Sequence, residues 1–146
     1  MTKMKVLPMT TDVTVNVVDG EPDWLEDLNW RLVSFNKQMS GWGSHYFAVE
    51  LRDPSGALRG GAGVRVNLGA AEVFTLWTDG EVRGGGNGRL IMETAMREGA
   101  RLGATKVLLD TYDFQARAFY ESLGFEVFGQ FDYPSGNKRF YLMRDI

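Results

Sequence analysis

The chain has 146 residues, a length that suits one domain with a sizeable core. Its 16 basic and 19 acidic residues leave a net charge of −3 with no basic block, which excludes nucleic acid as a main partner. With no cysteine and one histidine, His45, the chain has no disulfide framework, thiol nucleophile, Cys-zinc site or multi-histidine metal site. No apolar run is long enough to span a bilayer, and Met1 to Met9 lacks an apolar leader core, so no membrane partner and a cytoplasmic location are expected. The chemistry is left to carboxylates, hydroxyls, tyrosines and backbone groups.

Val13 to Val18 is a β-branched run ended by Asp19-Gly20 and predicts a first strand. Pro22 suits the first turn of a helix. Leu25, Leu28, Leu32, Phe35 and Met39 then recur at three and four residues as one helical stripe, ended by Gly41 and Gly43. Tyr46 to Leu51 predicts a second strand. Asp53-Pro54-Ser55-Gly56 predicts a turn, so a hairpin leads into a third strand within Leu58 to Asn67. Leu68-Gly69-Ala70 turns again before a fourth strand, Ala71 to Thr78.

A helix from about Asn87 to Gly103 puts Ile91, Ala95, Gly99 and Leu102 on one face. Glu93, Arg97 and Arg101 lie on the other, the pattern of a helix covering a sheet. Thr105 to Thr111 reads as a short buried strand, and the order strand, helix, strand predicts a parallel right-handed crossover. A short helix, Phe114 to Ser122, and two strands, Phe125 to Phe131 and Arg139 to Arg144, complete the chain. No repeat, low-complexity stretch or linker interrupts it, so residues 1–146 read as a single domain.

Between the fourth strand and its helix the chain runs Val82-Arg83-Gly84-Gly85-Gly86-Asn87-Gly88-Arg89. The glycines remove every Cβ where the loop enters the helix, so backbone N–H groups can point at a ligand. The first helical turn has unpaired N–H groups and a positive dipole end, so the expected ligand is an anion, most often a phosphate. A Walker loop needs Gly-Lys-Ser/Thr at its end, whereas Gly88 is followed by Arg89-Leu90. A dinucleotide fingerprint needs Gly or Ala three residues after Gly88, where Ile91 stands.

What remains, Arg83-x-x-Gly86-x-Gly88, resembles the acetyl-CoA pyrophosphate loop of the GNAT family of N-acetyltransferases. A second stretch, Thr111 to Phe125, is similar to that family's signature Asn-x-x-Ala-x-x-x-Tyr-Glu-x-x-Gly-Phe, with Ala116, Tyr120, Glu121, Gly124 and Phe125 matching. The resemblance covers nearly the whole chain. It implies an α/β (α+β) fold: a mixed, mostly antiparallel sheet of six to seven strands, helices on both faces, and a splay between strands four and five. It implies acetyl transfer from acetyl-CoA, a co-substrate, to a primary amine, by direct attack in a ternary complex and without a metal. The acceptor expected is a small molecule, and a homodimer is compatible with the family.

Residue by residue, the resemblance implies that the backbone of Arg83, Gly84, Gly85, Gly86, Asn87, Gly88 and Arg89 holds the pyrophosphate. Leu76, Trp77 and Thr78 would pair with the pantetheine arm as an added strand would, with an N–H near Trp77 facing the acetyl carbonyl. Ala116 would let the arm pass, and Tyr120 would protonate the leaving thiolate; a free phenol titrates near pH ~10 and is protonated at neutral pH. Three positions depart from the family pattern. Asp113 stands where Asn is frequent and could still accept from pantetheine amides. Asn87 replaces an apolar residue and could cap the helix. Gly80 replaces a frequent proline.

An amine must lose a proton before attack, and the residues leave the base open. Asp79, at the end of the fourth strand, is the first candidate, with Glu72 and Asp110 as alternatives and His45 as a shuttle. Acceptor contacts are expected from the first helix and the last hairpin loop, with Asn36, Trp42 and Tyr133 as candidates, although Trp24, Trp30 and Trp42 also suit packing. The rival reading is a non-catalytic acyl-CoA-binding sensor or partner module.

Overall fold

The structure is a computed structural model that describes residues 12–146. Its strands are β1 (His45–Arg52), β2 (Leu58–Asn67), β3 (Ala70–Thr78), β4 (Lys106–Tyr112), β5 (Glu126–Asp132) and β6 (Lys138–Asp145). The helices are α1 (Trp24–Ser40), α2 (Asn87–Arg101) and α3 (Arg117–Ser122), with one 3-10 turn at Gly80–Val82. One mixed sheet runs in the order β1-β2-β3-β4-β6-β5, all pairs antiparallel except β3 with β4.

Two turns set the antiparallel half. Asp53 closes the first, as Oδ1 accepts the N–H groups of Ser55 at 2.9 Å and Ala57 at 3.1 Å while Oδ2 takes Arg59 Nε at 2.8 Å. Leu68 and Gly69 form the second, a two-residue hairpin loop with φ of 52° and 78°, the left-handed geometry that matches strand twist.

The crossover from β3 through α2 to β4 forms as predicted. Ile91, Met92, Ala95, Met96 and Gly99 of α2 are buried, facing Val64, Ala71, Val107 and Leu142 of the sheet. Gly99 lets the helix approach, since a Cβ there would lie 3.1 Å from that of Ala71. The parallel pairing is short: Ala70, Ala71 and Glu72 register with Lys106, Val107 and Leu108, and there it stops. Both strands run on, β3 to Thr78 and β4 to Tyr112, and they part. This is the predicted splay, now between β3 and β4.

The helix expected from Phe114 begins only at Arg117. Gln115 explains the delay. Its Oε1 accepts the Tyr112 N–H at 2.8 Å and the buried Thr111 hydroxyl at 3.2 Å, and its own N–H donates to the Tyr112 carbonyl at 3.0 Å. That turn takes up the residues a longer helix would need.

The N-terminal expectations fare differently. Val13 to Val18 forms no strand, so among the described residues the sheet has six strands, the lower of the six to seven expected. A β-branched run is a strand only where a neighbour pairs with its backbone, and none of the described residues does so. Helix α1 forms where predicted, yet none of its residues is buried. The stripe Leu25, Leu28, Leu32, Phe35 and Met39 is 45–70% exposed. α2 and α3 pack on the same face, and among the described residues no helix packs on the other face over β1–β3.

Leu68 carries a Cβ in a left-handed conformation while its side chain is exposed. Leu68→Asn should therefore stabilise the protein by about 1 kcal/mol, since Asn tolerates that region and Leu does not. A urea midpoint that rises at unchanged slope checks this.

Candidate active site

Where β3 and β4 part, a cleft of about 1000 Å³ opens across the sheet. Three elements line it, each set by a local feature of the sequence. The first is the free edge of β3 from Val73 to Thr78, which has lost its strand partner on that side. The second is the glycine loop entering α2, and the third is the Thr111 to Tyr120 stretch.

The loop is held open by its own bonds. Gly84 and Gly86 sit at φ of 79° and 81°, where other residues are strained. The Arg83 guanidinium donates from Nε to the Thr78 carbonyl at 2.8 Å and stacks 4.4 Å over the Trp77 ring, tying the loop to the end of β3. Asn87 donates from Nδ2 to the Val82 carbonyl at 2.8 Å. It is the first helical residue, with Gly86 at the N-cap, so Asn87 staples the loop rather than capping the helix. None of the N–H groups from Gly84 to Arg89 donates to a described backbone carbonyl; the first to do so is Leu90, to Gly86 at 3.0 Å. A run of free N–H groups at a helix start, with open space where Cβ atoms at Gly84 or Gly86 would be, fits a phosphate group.

Tyr120 is 7% exposed, its ring edge-on to Phe119 and Phe125, and it borders the cleft. Burial first, and the Asp110 carboxylate second, push its phenol up to about 12. The proton therefore stays on the oxygen through neutral pH. Thr111 and Gln115 fix the approach to this helix, with the Ala116 N–H donating to Thr111 Oγ1 at 3.3 Å.

Also bordering the cleft, Asp110 Oδ2 accepts from Arg139 at 2.9 Å. Arg139 lies over the rings of Tyr112 and Tyr141 at 5.7 and 5.3 Å. Tyr133 does not border the cleft but packs on Tyr112, their centroids 5.8 Å apart. Bonds from Tyr112 and then Arg139 draw the Tyr133 hydroxyl below the ordinary phenol range.

The cleft thus brings together Leu76, Trp77, Thr78, Ala116 and Tyr120 with Arg83, Gly84, Gly86, Gly88 and Arg89 from the loop. Gly85 and Asn87 belong to the loop without bordering the cleft. Asp113 turns away: its Oδ1 accepts the Lys138 N–H at 3.1 Å, tying the loop before α3 to the last hairpin. Asp79 stands in an adjoining groove, where Oδ1 accepts the Trp77 indole N–H at 3.0 Å and Oδ2 lies 3.9 Å from Arg59. Glu72 pairs with Arg65, and His45 lies by Glu98 of α2; neither borders the cleft. Asn36 and Trp42, on α1 and just after it, are exposed and outside the cleft of their own chain. Sequence reasoning missed Thr111, Gln115, Phe119 and Arg139, whose roles depend on the splay and on β6 lying beside β4.

The sequence profile of the acetyltransferase (GNAT) family matches residues 13–125. Blasticidin-S acetyltransferase of Streptomyces morookaense is 33% identical over 93 residues, 62% of this chain and 68% of that protein. The crystal structure of a candidate acetyltransferase from Agrobacterium tumefaciens superposes with a TM-score of 0.84 at 21% identity, over 92% of this chain and 100% of that one. A candidate streptothricin acetyltransferase from Bacillus anthracis, solved in complex with acetyl coenzyme A, gives a TM-score of 0.57 at 18% identity over 62% of this chain and 57% of that one. With a profile match over most of its length, the splayed sheet and the free N–H loop, the chain belongs to the acetyltransferase (GNAT) family.

Proposed function

We propose that this acyl-CoA-dependent N-acetyltransferase carries acetyl from acetyl-CoA to a primary amine of a small molecule, in one ternary complex. The observation that carries this reading is the cleft itself, which has a phosphate-fitting loop at one end and a buried, protonated phenol beside the parted strands. The name of the Streptomyces relative supports a small-molecule acceptor.

The thioester supplies the acyl group. The free N–H groups of residues 84–89 hold the diphosphate, and the unpaired edge of β3 at Leu76, Trp77 and Thr78 holds the arm. The amine nitrogen forms a bond to the acetyl carbon, the carbon–sulfur bond breaks, and the sulfur takes the Tyr120 proton. The amine's own proton leaves to a carboxylate. Both carboxylates are paired, Asp110 with Arg139 and Asp79 with Trp77 and Arg59, but Asp110 borders the cleft directly whereas Asp79 stands in the adjoining groove. Asp110 is accordingly ranked ahead of Asp79.

Asn87→Ala removes the staple and leaves the glycines intact. One hydrogen bond contributes about 1 kcal/mol, so acetyl-CoA affinity should fall roughly 5–10-fold by isothermal titration. Unchanged affinity would contradict a preformed loop.

Tyr120→Phe keeps the ring and deletes the donor. The turnover number should fall about 10²–10⁴-fold while acetyl-CoA affinity stays within a few-fold. Parental turnover would remove the donor role. The raised phenol also sets a sign for stability. Its folded value, about 12, exceeds the unfolded value of 10.0, so its stabilisation is complete below pH 10 and is lost as pH rises toward 12. The Tm gap between parent and Tyr120→Phe should therefore shift across pH 10–12 and not below, as read by thermal scans.

The proton acceptor is assigned by the acidic limb of the rate profile. Asp110→Asn should move it more than Asp79→Asn does. The reverse order restores Asp79 as the base.

A further inference from the structure

Three features of the N-terminal half have no partner among the described residues. The first is the apolar stripe of α1, from Leu25 to Met39. The second is the β-branched segment before it, with Val15 and Val17 97% and 100% exposed. The third is the bare face of β1–β3, a trough of about 750 Å³. Glycines at 60, 61 and 63 floor this trough, and Tyr46, Leu58, Phe74 and Trp77 rim it, each about half exposed. A Cβ at Gly63 would lie 2.5 Å from the Phe74 ring, so glycine there lets that ring lie against the sheet. Beside the trough, β1 ends the sheet with an unpaired edge.

These parts complement one another. An amphipathic helix fits an apolar trough, and a β-branched segment fits a sheet edge. Their own chain does not join them. Only Gly41 to Ser44 connect α1 to β1, and α1 stands off the sheet of its own chain with none of its residues buried. Gly41, at φ 77°, donates its N–H to the Lys37 carbonyl at 2.9 Å, and the Trp42 N–H donates to Ser40 Oγ at 3.1 Å. A short hinge that leaves the arm off its own sheet favours exchange between identical chains.

We infer that two copies of this chain exchange their N-terminal arms. Segment Val13 to Val18 adds to the partner's β1 edge, and the α1 stripe fills the partner's trough, reciprocally about a two-fold axis. The trough and the cleft share Phe74, Thr75 and Trp77. The exchanged arm therefore walls the acceptor end of the cleft, and Asn36 and Trp42 reach that end only in trans. This last consequence rests on the proposed acetyl transfer; the exchange does not.

The test uses the full chain. Sedimentation equilibrium should give twice the 16.4 kDa chain mass, and Leu28→Glu/Phe35→Glu should give the single mass. A monomeric parent overturns the inference, and so does a double variant that stays dimeric. Because the chain has no cysteine, crosslinking reports cleanly. Chains carrying Leu28→Cys, Leu32→Cys or Phe35→Cys are coexpressed with differently tagged Ala48→Cys chains and treated with a short bis-maleimide. A product carrying both tags is expected from at least one pairing. No such product from any pairing, or crosslinking only within one chain when both cysteines share it, overturns the exchange. Both readouts are independent of turnover. In the kinetic arm, Leu28→Glu/Phe35→Glu should raise the KM for the amine at least tenfold and that for acetyl-CoA less than threefold. If acetyl transfer is itself absent while the dimer and crosslinks form, the functional reading has failed and the exchange stands.

Discussion

The structure depends on how little β3 and β4 hold each other. They share three registered residue pairs, Ala70 to Glu72 against Lys106 to Leu108, and then diverge. Each strand is secured on its far side, β3 by β2 along its length and β4 by β6 along its length. That outer pairing lets the inner pairing fail without unravelling the sheet. The consequence is a row of backbone groups on β3 with no strand partner in the middle of a sheet, where such groups are costly to leave unmet. An extended ligand with amide groups would supply the missing partner.

The cleft places its two chemical tools by independent means. Glycines at positive φ and the Asn87 staple form the loop, so its N–H groups point outward before any ligand arrives. Tyr120 is set by packing: Phe119 and Phe125 clasp its ring, and the same burial that fixes it keeps it protonated. Preorganised donors of this kind need no rearrangement when charge develops. The neighbouring face of β1–β3 is less covered among the described residues. Its rim is apolar and exposed, and the helix with a matching stripe stands unpacked.

Much of this was legible in the sequence, for physical reasons. The glycine loop announces itself because only glycine tolerates Gly84 and Gly86 geometry, and α2 because its buried positions repeat at helical spacing. The splay followed from resemblance, not periodicity, since pairing is a property of two strands together. Val13 to Val18 has strand composition, but composition does not supply a neighbour, and the segment stayed unpaired. The side chains of Asn87, expected as a helix cap, and Asp113, expected to face pantetheine amides, are engaged elsewhere. Their hydrogen bonds run to Val82 and Lys138, partners that only the folded loops bring near. Arg139 and Asp110 meet across strands distant in sequence, which no local pattern records.

Amide hydrogen exchange with and without acetyl-CoA tests the central claim, that the parted strands and the glycine loop together form the binding surface. Without ligand, the unbonded N–H groups of residues 84–89 should exchange rapidly. With ligand, slowing should appear in that loop and along Leu76 to Thr78 of β3, while the β1–β2 hairpin stays unchanged. Slowing confined to the trough over β1–β3, or absent from the loop, would contradict it.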